Sequence, residues 1–322
     1  MTTDPWSEPE YVAPKRRRRL PFILLALTCL SVFWAGVWRW APHEGLLGGL
    51  FGFGADGVGA QPAILFRLAV LRNGGDAVAY MACLLAILLT HEMGHFLMSV
   101  RYRVPASLPF FLPLPISPIG TLGAVIAMDG RRADRREIFD IGIAGPLAGL
   151  IVAIPILWLG LERLDFTVPA GGSYALDLPL AVRWWLDWRQ PPGYVPGADV
   201  YHSQLNPYFM AGWVGLLVTG LNMMPVSQLD GGHVVHGLFG RPGRWIARLF
   251  MVVAIGNVIW NYFAKSELSP GLIMLVLILL MGTDHPPTRD DTRRLGLVRM
   301  ILGAISLLIP LLCFPPKVIY EF

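Results

Sequence analysis

Apolar runs separated by short polar segments set the pattern of this chain. The longest runs are candidates for membrane-spanning helices, since about 20 apolar residues cross a bilayer as a helix. They are Leu20–Trp40, Ala77–Val100, Ile138–Leu161, Pro207–Met224, Trp245–Phe263, Gly271–Met281 and Leu295–Phe314. Gly271–Met281 is short, and Pro310 is expected to kink the last run. The pattern predicts an all-α polytopic membrane protein with about six to seven transmembrane helices.

Two segments between these runs are read as lying outside the regular spans. Ala41–Asp76 is rich in glycine, and its apolar piece Ala63–Leu71 contains Arg67 and is followed by Arg72. That piece is too short and too charged to span, which favours an interfacial or re-entrant segment. The segment 162–206 is long, polar and rich in turn-forming residues, and we expect it to be a non-cytoplasmic loop.

The segment 104–128 cannot be a regular helix, because prolines interrupt its first half. Its second half, Ile119–Met128, is apolar and contains Gly120 and Gly123. Apolar, non-helical backbone beside a membrane must be sheltered by protein or line a water-filled cavity. We therefore expect a re-entrant hairpin whose free edge accepts an extended peptide as an added strand. The alternative is a cytoplasmic proline-rich loop.

Basic residues indicate the orientation of the chain. Most of the 26 lysine and arginine residues fall on one side if the N-terminus is cytoplasmic and each run crosses once. The KRRRR sequence at 15–19 and the RRADRR sequence at 131–136 are the strongest examples. The positive-inside rule then predicts an integral membrane protein with a cytoplasmic N-terminus, and we assign it to a bacterial inner membrane.

Composition supports a membrane protein and argues against nucleic-acid binding. The chain has 322 residues, of which 54% are hydrophobic and only 15% are charged. No basic patches interleaved with aromatic residues are present in the sequence, so we expect no nucleic-acid partner. The three cysteines lie in apolar runs without metal-binding spacing, which is typical of packing residues.

The sequence His91-Glu92-Met93-Gly94-His95 lies within an apolar run. On a helix, this H-E-x-x-H spacing places two imidazoles one turn apart on one face, where they can hold one metal ion. Glu92 beside them is a candidate general base. Ionisable groups at membrane depth are costly unless they share an ion or a partner, so the position of the motif itself favours function over chance.

Asp230 is the candidate third ligand. Pro225 ends the preceding run, so Asp230-Gly231-Gly232 is expected on an unwound, flexible turn that approaches the histidines. The orientation places Asp230 at the same depth as His91 and His95. An ordinary Asp-Gly turn at a helix end is the alternative reading.

His91–His95, Asn222-Met-Met-Pro225 and Leu229-Asp230-Gly231 together resemble the site-2 protease family of intramembrane zinc metalloproteases. Residues 141–150 are similar to its glycine-rich core helix, residues 120–128 to its membrane-inserted hairpin, and His285-Pro286-Pro287 to the branch that includes chloroplast homologues. The likeness covers roughly residues 76 to 290. No PDZ-like insert is recognisable between the predicted spans.

The resemblance implies one Zn²⁺ held by His91, His95 and Asp230, with Glu92 as general base. It also implies Asn222 as a substrate contact, and we add Gly120 and Gly123 of the hairpin as substrate-binding residues. The substrate is then a transmembrane protein or peptide, cleaved in or near its span by regulated intramembrane proteolysis. The expected organisation is a basic tail (1–19), a first helix with its interfacial segment (20–75), a catalytic membrane core (76–240) and C-terminal transmembrane helices (241–322).

Two other functions stay open at this stage. A membrane metal transporter or metal-binding scaffold also places histidine and aspartate in its spans. Such a protein does not require Glu92, however, and its sequence often shows internal repeats of the spans. A peptidase that processes prenylated C-termini is expected to use a downstream glutamate as its third ligand. The substrate, the oligomeric state, and the roles of the 162–206 loop and of His233, His236 and His285 are not predicted.

Overall fold

The computed structural model describes residues 19–42, 62–226, 228–265, 285–315 and 318–320, and these residues are mostly helical. The helices are α1 (Leu20–Val37), α2 (Pro62–Arg101), α3 (Arg135–Leu161), α4 (Leu180–Arg189), α5 (Pro207–Asn222), α6 (Asp230–Phe239), α7 (Gly243–Lys265), α8 (Leu297–Ser306) and α9 (Ile309–Cys313). The strands are β1 (Phe110–Pro113), β2 (Thr121–Val125), β3 (Ala175–Leu176), β4 (Val200–Tyr201) and β5 (Ile319–Tyr320). The all-α prediction missed the two small sheets that these strands form.

Four of the described helices are long and apolar enough to cross a membrane. They are α1, α2, α3 and α7. Helix α5 is shorter at 16 residues, and most of its side chains are buried inside the bundle. The chain is therefore a helical membrane protein, while the predicted count of six to seven spans stays a prediction. Gly271–Met281 lies outside the described residues.

Helix α2 is longer than the sequence pattern indicated. It runs without a break for 40 residues from Pro62 to Arg101. The predicted boundary at residues 75 and 76 and the separate segment Ala63–Leu71 are therefore wrong. Gly74 and Gly75 do not end the helix, and Asn73 fastens it to α1 by donating from Nδ2 to the carbonyl of Val37 at 2.8 Å. At 1.5 Å per residue the helix is about 60 Å long, roughly twice the hydrocarbon thickness of a bilayer.

Helix α3 packs antiparallel between α2 and α5. Its start is fixed by a capping box, in which Asp134 accepts from the backbone of Arg136 and Glu137 while Glu137 reaches back to the amide of Asp134. Arg135 donates to the carbonyls of Gly237 and Leu238 and so ties this end of α3 to the end of α6. We call this end, where α2 finishes and α3 begins, the basic end of the bundle.

The segment 104–128 contains the expected hairpin. Strands β1 and β2 pair antiparallel, with Phe110 opposite Val125 and Phe111 opposite Ala124. Strand β1 packs on α1, and β2 approaches α2. The pair forms a two-stranded sheet within the described residues, so β2 keeps one edge without a strand partner there. Whether the hairpin enters a membrane stays a prediction.

The segment 162–206 is folded rather than a plain loop. It contains α4, and its strands β3 and β4 form a three-stranded sheet with β5 from the far C-terminal part of the chain. Arg183 in α4 lies between the carboxylates of Asp177 and Asp199, at 2.5 Å and 2.6 Å. Trp213 of α5 donates from Nε1 to the carbonyl of Asp177 and joins this layer to the helices.

The run Leu295–Phe314 is two helices rather than one kinked helix. Helix α8 ends at Ser306, and Pro310 lies in the first turn of α9, where its missing amide costs no helical hydrogen bond. Residues 289 and 290 form hydrogen bonds with the backbone at the start of α3. By contrast, β5 pairs with β3, which lies near the other end of α3. Helices α8 and α9 together therefore carry the chain from the basic end of the bundle to the opposite end.

Candidate metal centre

Helix α2 brings His91 and His95 together one turn apart, as the motif predicts. Their Nε2 atoms lie 3.2 Å from each other. Asp230 Oδ2 lies 3.3 Å from Nε2 of His91 and 3.2 Å from Nε2 of His95. The three side chains form a group whose possible ligand atoms all lie within 4.8 Å of one another. Counting along α2, the histidines are about 9 to 15 Å from its end at Arg101.

The donor set fits a metal ion. Asp230 Oδ2 is buried and makes no hydrogen bond within the described part of the chain, in spite of its short distances to both imidazoles. His95 donates from Nδ1 to the carbonyl of Ile141 at 2.8 Å, so its neutral form presents a bare Nε2 to the cluster. A buried carboxylate and two converging imidazole nitrogens are the ligands that a zinc ion takes in catalytic sites.

Glycines of α3 make the room in which the imidazoles lie. A Cβ atom at Gly145 would lie 2.0 Å from Nε2 of His95, and one at Gly149 would lie 3.1 Å from Nδ1 of His91. Any larger residue at Gly145 would therefore occupy the position of the ligand atom itself. The sequence predicted only a close helix approach here, and the structure shows which side chains need it.

Asp230 does not lie on an unwound turn. It is the first residue of α6, and the non-helical stretch, which includes Pro225, comes before it. Leu229 has an extended backbone at the N-cap, which turns the chain into the helix at the ligand. Gly231 permits close contact with the end of α5, since a Cβ there would lie 2.1 Å from the carbonyl oxygen of Met223.

A cavity of about 190 Å³ opens beside the cluster, and Glu92 lines it. Glu92 is 5% exposed, and the same cavity meets both histidines and Asp230. Residues 124–126 at the end of β2 form another wall, together with Gln228 and Leu229. The hairpin thus contributes to the wall through Ala124, Val125 and Ile126, which the sequence analysis did not single out.

The three predicted substrate contacts have different surroundings. Asn222 lies at the cavity, with Nδ2 3.2 Å from Nε2 of His91. Gly120 instead lies against α1, where a Cβ would meet the backbone of Val32 at 2.7 Å and where Ser31 donates to its carbonyl. Its positive φ of 84° and this close approach explain the glycine by packing rather than by substrate binding. Gly123 does not border the described cavity, and its role stays a prediction.

Two polar clusters near the site were missed or left without a role by the sequence reasoning. Arg299 of α8 makes a two-point ion pair with Asp140 of α3 at 2.7 Å and 2.8 Å, and Tyr102 donates to the same carboxylate at 2.5 Å. His233 and His285 are hydrogen-bonded to each other. Neither pair has a local spacing signal, because each joins residues that are far apart in sequence.

Comparison with known proteins gives a consistent family. Residues 79–178 match peptidase family M50. The chain is 31% identical over 243 residues to "Probable zinc metalloprotease EGY1, chloroplastic" of Oryza sativa subsp. japonica, with 70% of this chain and 39% of that protein covered. It is 31% identical over 237 residues to the protein of the same name from Arabidopsis thaliana, with 72% of this chain and 41% of that protein covered.

A further relative is "Probable zinc metalloprotease EGY2, chloroplastic" of Arabidopsis thaliana, which is 26% identical over 269 residues. That alignment covers 68% of this chain and 43% of the relative, so the chain spans about two fifths of the length of the relatives named here. The H-E-x-x-H helix lies inside the segment 79–178, which therefore belongs to peptidase family M50, the site-2 proteases, and the chain is similar to relatives named as probable zinc metalloproteases.

Proposed function

We propose that this protein is an intramembrane zinc metalloprotease that hydrolyses a peptide bond in or near a transmembrane segment of a membrane-protein substrate. The observation that carries the proposal is the grouping of His91, His95 and Asp230 around one buried point, with both histidines on a helix long and apolar enough to span a bilayer. The family match and the relatives, which are named as probable zinc metalloproteases, support the same reaction.

His91, His95 and Asp230 would hold the zinc ion. A zinc ion supplies Lewis acidity, which polarises the scissile carbonyl and makes water a better nucleophile at neutral pH. Glu92 follows His91 on the same helix and borders the cavity, where it takes a proton from the attacking water. The same carboxyl group then returns that proton to the departing amine. Asn222, which lies beside His91, would bind a polar group of the substrate at the edge of the site.

The hairpin provides a surface that can hold the substrate extended. A substrate helix must unwind before cleavage, because its carbonyls are engaged in helical hydrogen bonds. The edge of β2 has no strand partner within the described residues, and its last residues line the cavity. An extended substrate segment adding to this edge would pass beside the histidines.

Our proposal for the location of the protein rests on its helices and its charges. We propose that the basic end of the bundle is cytoplasmic, since arginines concentrate in the segments 131–136 and 289–299 at that end. Water then reaches the site from the cytoplasm over about 9 to 15 Å of helix α2. We propose a bacterial inner membrane with a cytoplasmic N-terminus; the relatives are named as chloroplast proteins.

The test of this function is the variant Glu92→Gln, which keeps the shape of the side chain and removes its basicity. Cleavage of co-expressed single-span substrates should fall by at least a hundredfold, while purified protein retains one zinc per chain. Membrane proteomics of cells carrying either form would identify the substrates by their accumulation.

Glu162→Gln is the matched control, because Glu162 is exposed beyond the end of α3 and far from the cavity. It should leave cleavage unchanged. Undiminished cleavage by Glu92→Gln would remove Glu92 from the mechanism. Asp230→Ala should lower the zinc content, and full zinc occupancy in that variant would contradict its role as a ligand.

A further inference from the structure

A chain of histidines leads out of the catalytic cavity toward the basic end of the bundle. His233 lines the catalytic cavity, one helical turn after Asp230 on the same face of α6. His285 lines a second cavity of about 290 Å³ on the other side of α6. His233 Nδ1 and His285 Nε2 lie 2.7 Å apart, so a hydrogen-bonded pair of imidazoles links the two cavities.

The hydrogen bonds determine which nitrogen carries each proton. His285 Nδ1 lies 2.6 Å from the carbonyl oxygen of Pro286, which can only accept, so this nitrogen is protonated. Burial, together with His233 and His236, lowers the pKa of His285 to about 3, which keeps the ring neutral at physiological pH. Its Nε2 is then a bare acceptor, and the proton in the bond to His233 must belong to Nδ1 of His233.

The ring of His285 is held firmly in this orientation. His236 stacks on it with ring centroids 4.1 Å apart and planes 6° apart. His236 is itself fixed by Asp291, whose Oδ1 lies 3.1 Å from its Nε2 and also accepts from Thr288 at 2.6 Å. The fixed ring of His285 therefore selects the Nδ1-protonated tautomer of His233.

The consequence appears inside the catalytic cavity. A neutral His233 protonated on Nδ1 has a lone pair on Nε2. Within the described ranges, Nε2 of His233 makes no hydrogen bond to the protein, although its ring borders the cavity. A cavity that holds a peptide contains backbone N–H donors, and a bare imidazole nitrogen is an acceptor for them.

We propose that His233 accepts a hydrogen bond from a backbone N–H of the bound substrate, and that His285 is the positioning residue that fixes the required tautomer. The role of His233 as a substrate acceptor rests on the proposed peptidase function. The hydrogen-bond chain from Pro286 through His285 to His233 is a property of the resting protein and can be measured without turnover.

The experiment compares His285→Phe with His285→Gln in the zinc-loaded full chain. Phenylalanine keeps a flat ring to stack on His236 but offers no acceptor to His233. Glutamine can place its amide oxygen near the position of Nε2 and so rescues the acceptor. Proteins carrying ¹⁵N-labelled histidine report the tautomer of each of the 7 histidines by NMR, with His233→Gln identifying the signal of His233.

The wild type and His285→Gln should show His233 protonated on Nδ1, and His285→Phe should shift it toward the Nε2-protonated form. Because an acceptor for ground-state N–H binds substrate and transition state alike, KM should rise about tenfold in His285→Phe with little change in kcat. Zinc content should stay at one per chain in all three proteins.

Two results would overturn the proposal. One is an Nε2-protonated His233 in the wild type, and the other is a His285→Phe protein with both the tautomer and KM unchanged. Failure of the proposed peptidase function would be seen separately. In that case the wild type would show no substrate cleavage that depends on Glu92. If the wild type shows no such cleavage but His233 is protonated on Nδ1, the substrate-acceptor role is contradicted. The hydrogen-bond chain from Pro286 to His233 is still supported in that case.

Discussion

At the scale of single residues, the proposed metal centre depends on glycines of α3 as much as on the histidines of α2. The imidazole of His95 occupies the volume where a side chain at position 145 would begin. Its orientation is then set by a hydrogen bond to the carbonyl of Ile141. A glycine and a main-chain acceptor on the neighbouring helix thus position His95, a proposed ligand that lies about fifty residues earlier in the chain.

Gly145→Ala should therefore reduce zinc binding although it replaces no ligand. The added methyl group would lie 2.0 Å from His95 Nε2, so the ring or the helix must move. We expect a clear loss of zinc, measured by elemental analysis of purified protein, and a loss of stability of about 1–3 kcal/mol from overpacking.

Gly256→Ala in α7 is the matched control, since a Cβ there would meet nothing within 4 Å. It should keep full zinc and, if it changes stability at all, raise it by up to about 1 kcal/mol through its higher helix propensity. Full zinc occupancy in Gly145→Ala would show that the helices adjust freely and would contradict the close fit described above.

At the scale of elements, α8 is held to the core by the ion pair between Arg299 and Asp140. Asp140 is 9% exposed and receives two hydrogen bonds from the guanidinium in addition to one from Tyr102. These contacts join the end of α2, the start of α3 and α8 near the basic end of the bundle. Few other polar bonds of the described residues connect α8 to its neighbours, so this pair should dominate its docking.

Arg299→Gln should loosen α8 selectively. Loss of charged hydrogen bonds at a mostly buried carboxylate is expected to lower the free energy of unfolding by about 2 kcal/mol. Hydrogen exchange should accelerate in α8 first. Arg289→Gln is the control, because the Arg289 side chain is 60% exposed and its ion pairs should contribute at most about 1 kcal/mol. Equal effects of the two variants would contradict a special role for Arg299.

The free edge of β2 leads to a prediction about substrate contact. Val125 is 51% exposed at the end of the strand and borders the catalytic cavity. A photo-crosslinking residue at this position in Glu92→Gln protein should capture the substrate. The same residue at Ile151, which is 73% exposed on α3, should capture little, since it lies away from the cavity. Equal capture at both positions would exclude the hairpin edge as the docking surface.

Sequence patterns predicted those elements and residues whose signal is local. The histidine pair follows from helical periodicity, and Asp230 was proposed as their partner because it was expected at the same depth; the structure groups the three side chains. Ala63–Leu71 was predicted to be separate from the second span because it is short and charged, although α2, which bonds α1 through Asn73, runs through it without a break. The segment 162–206 was read as a loop because its sheet is completed by residues 319–320, which no local pattern can reveal. The hydrogen bonds of Ile141 with His95 and of His285 with His233 were not predicted for the same reason.

At the scale of the whole molecule, the two ends of the bundle differ in character. The basic end carries the segments 131–136 and 285–299 with their arginines. The opposite end carries the sheet of β3, β4 and β5 and the helix α4, whose Trp184 and Trp188 are 58% and 77% exposed. Exposed tryptophans next to a spanning helix are typical of the headgroup level of a membrane. The metal centre lies between these ends, closer to the basic one.

This arrangement predicts which surfaces a membrane-impermeant thiol reagent can reach. In a background without Cys29, Cys83 and Cys313, Trp188→Cys and Arg293→Cys should be labelled from opposite sides of the membrane. Both positions are well exposed, with Arg293 68% exposed at its side chain. With a cytoplasmic basic end, only Trp188→Cys reacts in intact cells. Labelling of both from one side would contradict the orientation.

The pairing of β3 with β5 also has a consequence for biosynthesis. Ala175 and Leu176 leave the ribosome long before Tyr320 and Ile319, the residues with which they pair. The three-stranded sheet at the end opposite the arginines therefore cannot be complete until α8 and α9, which precede β5 in the chain, have been synthesised.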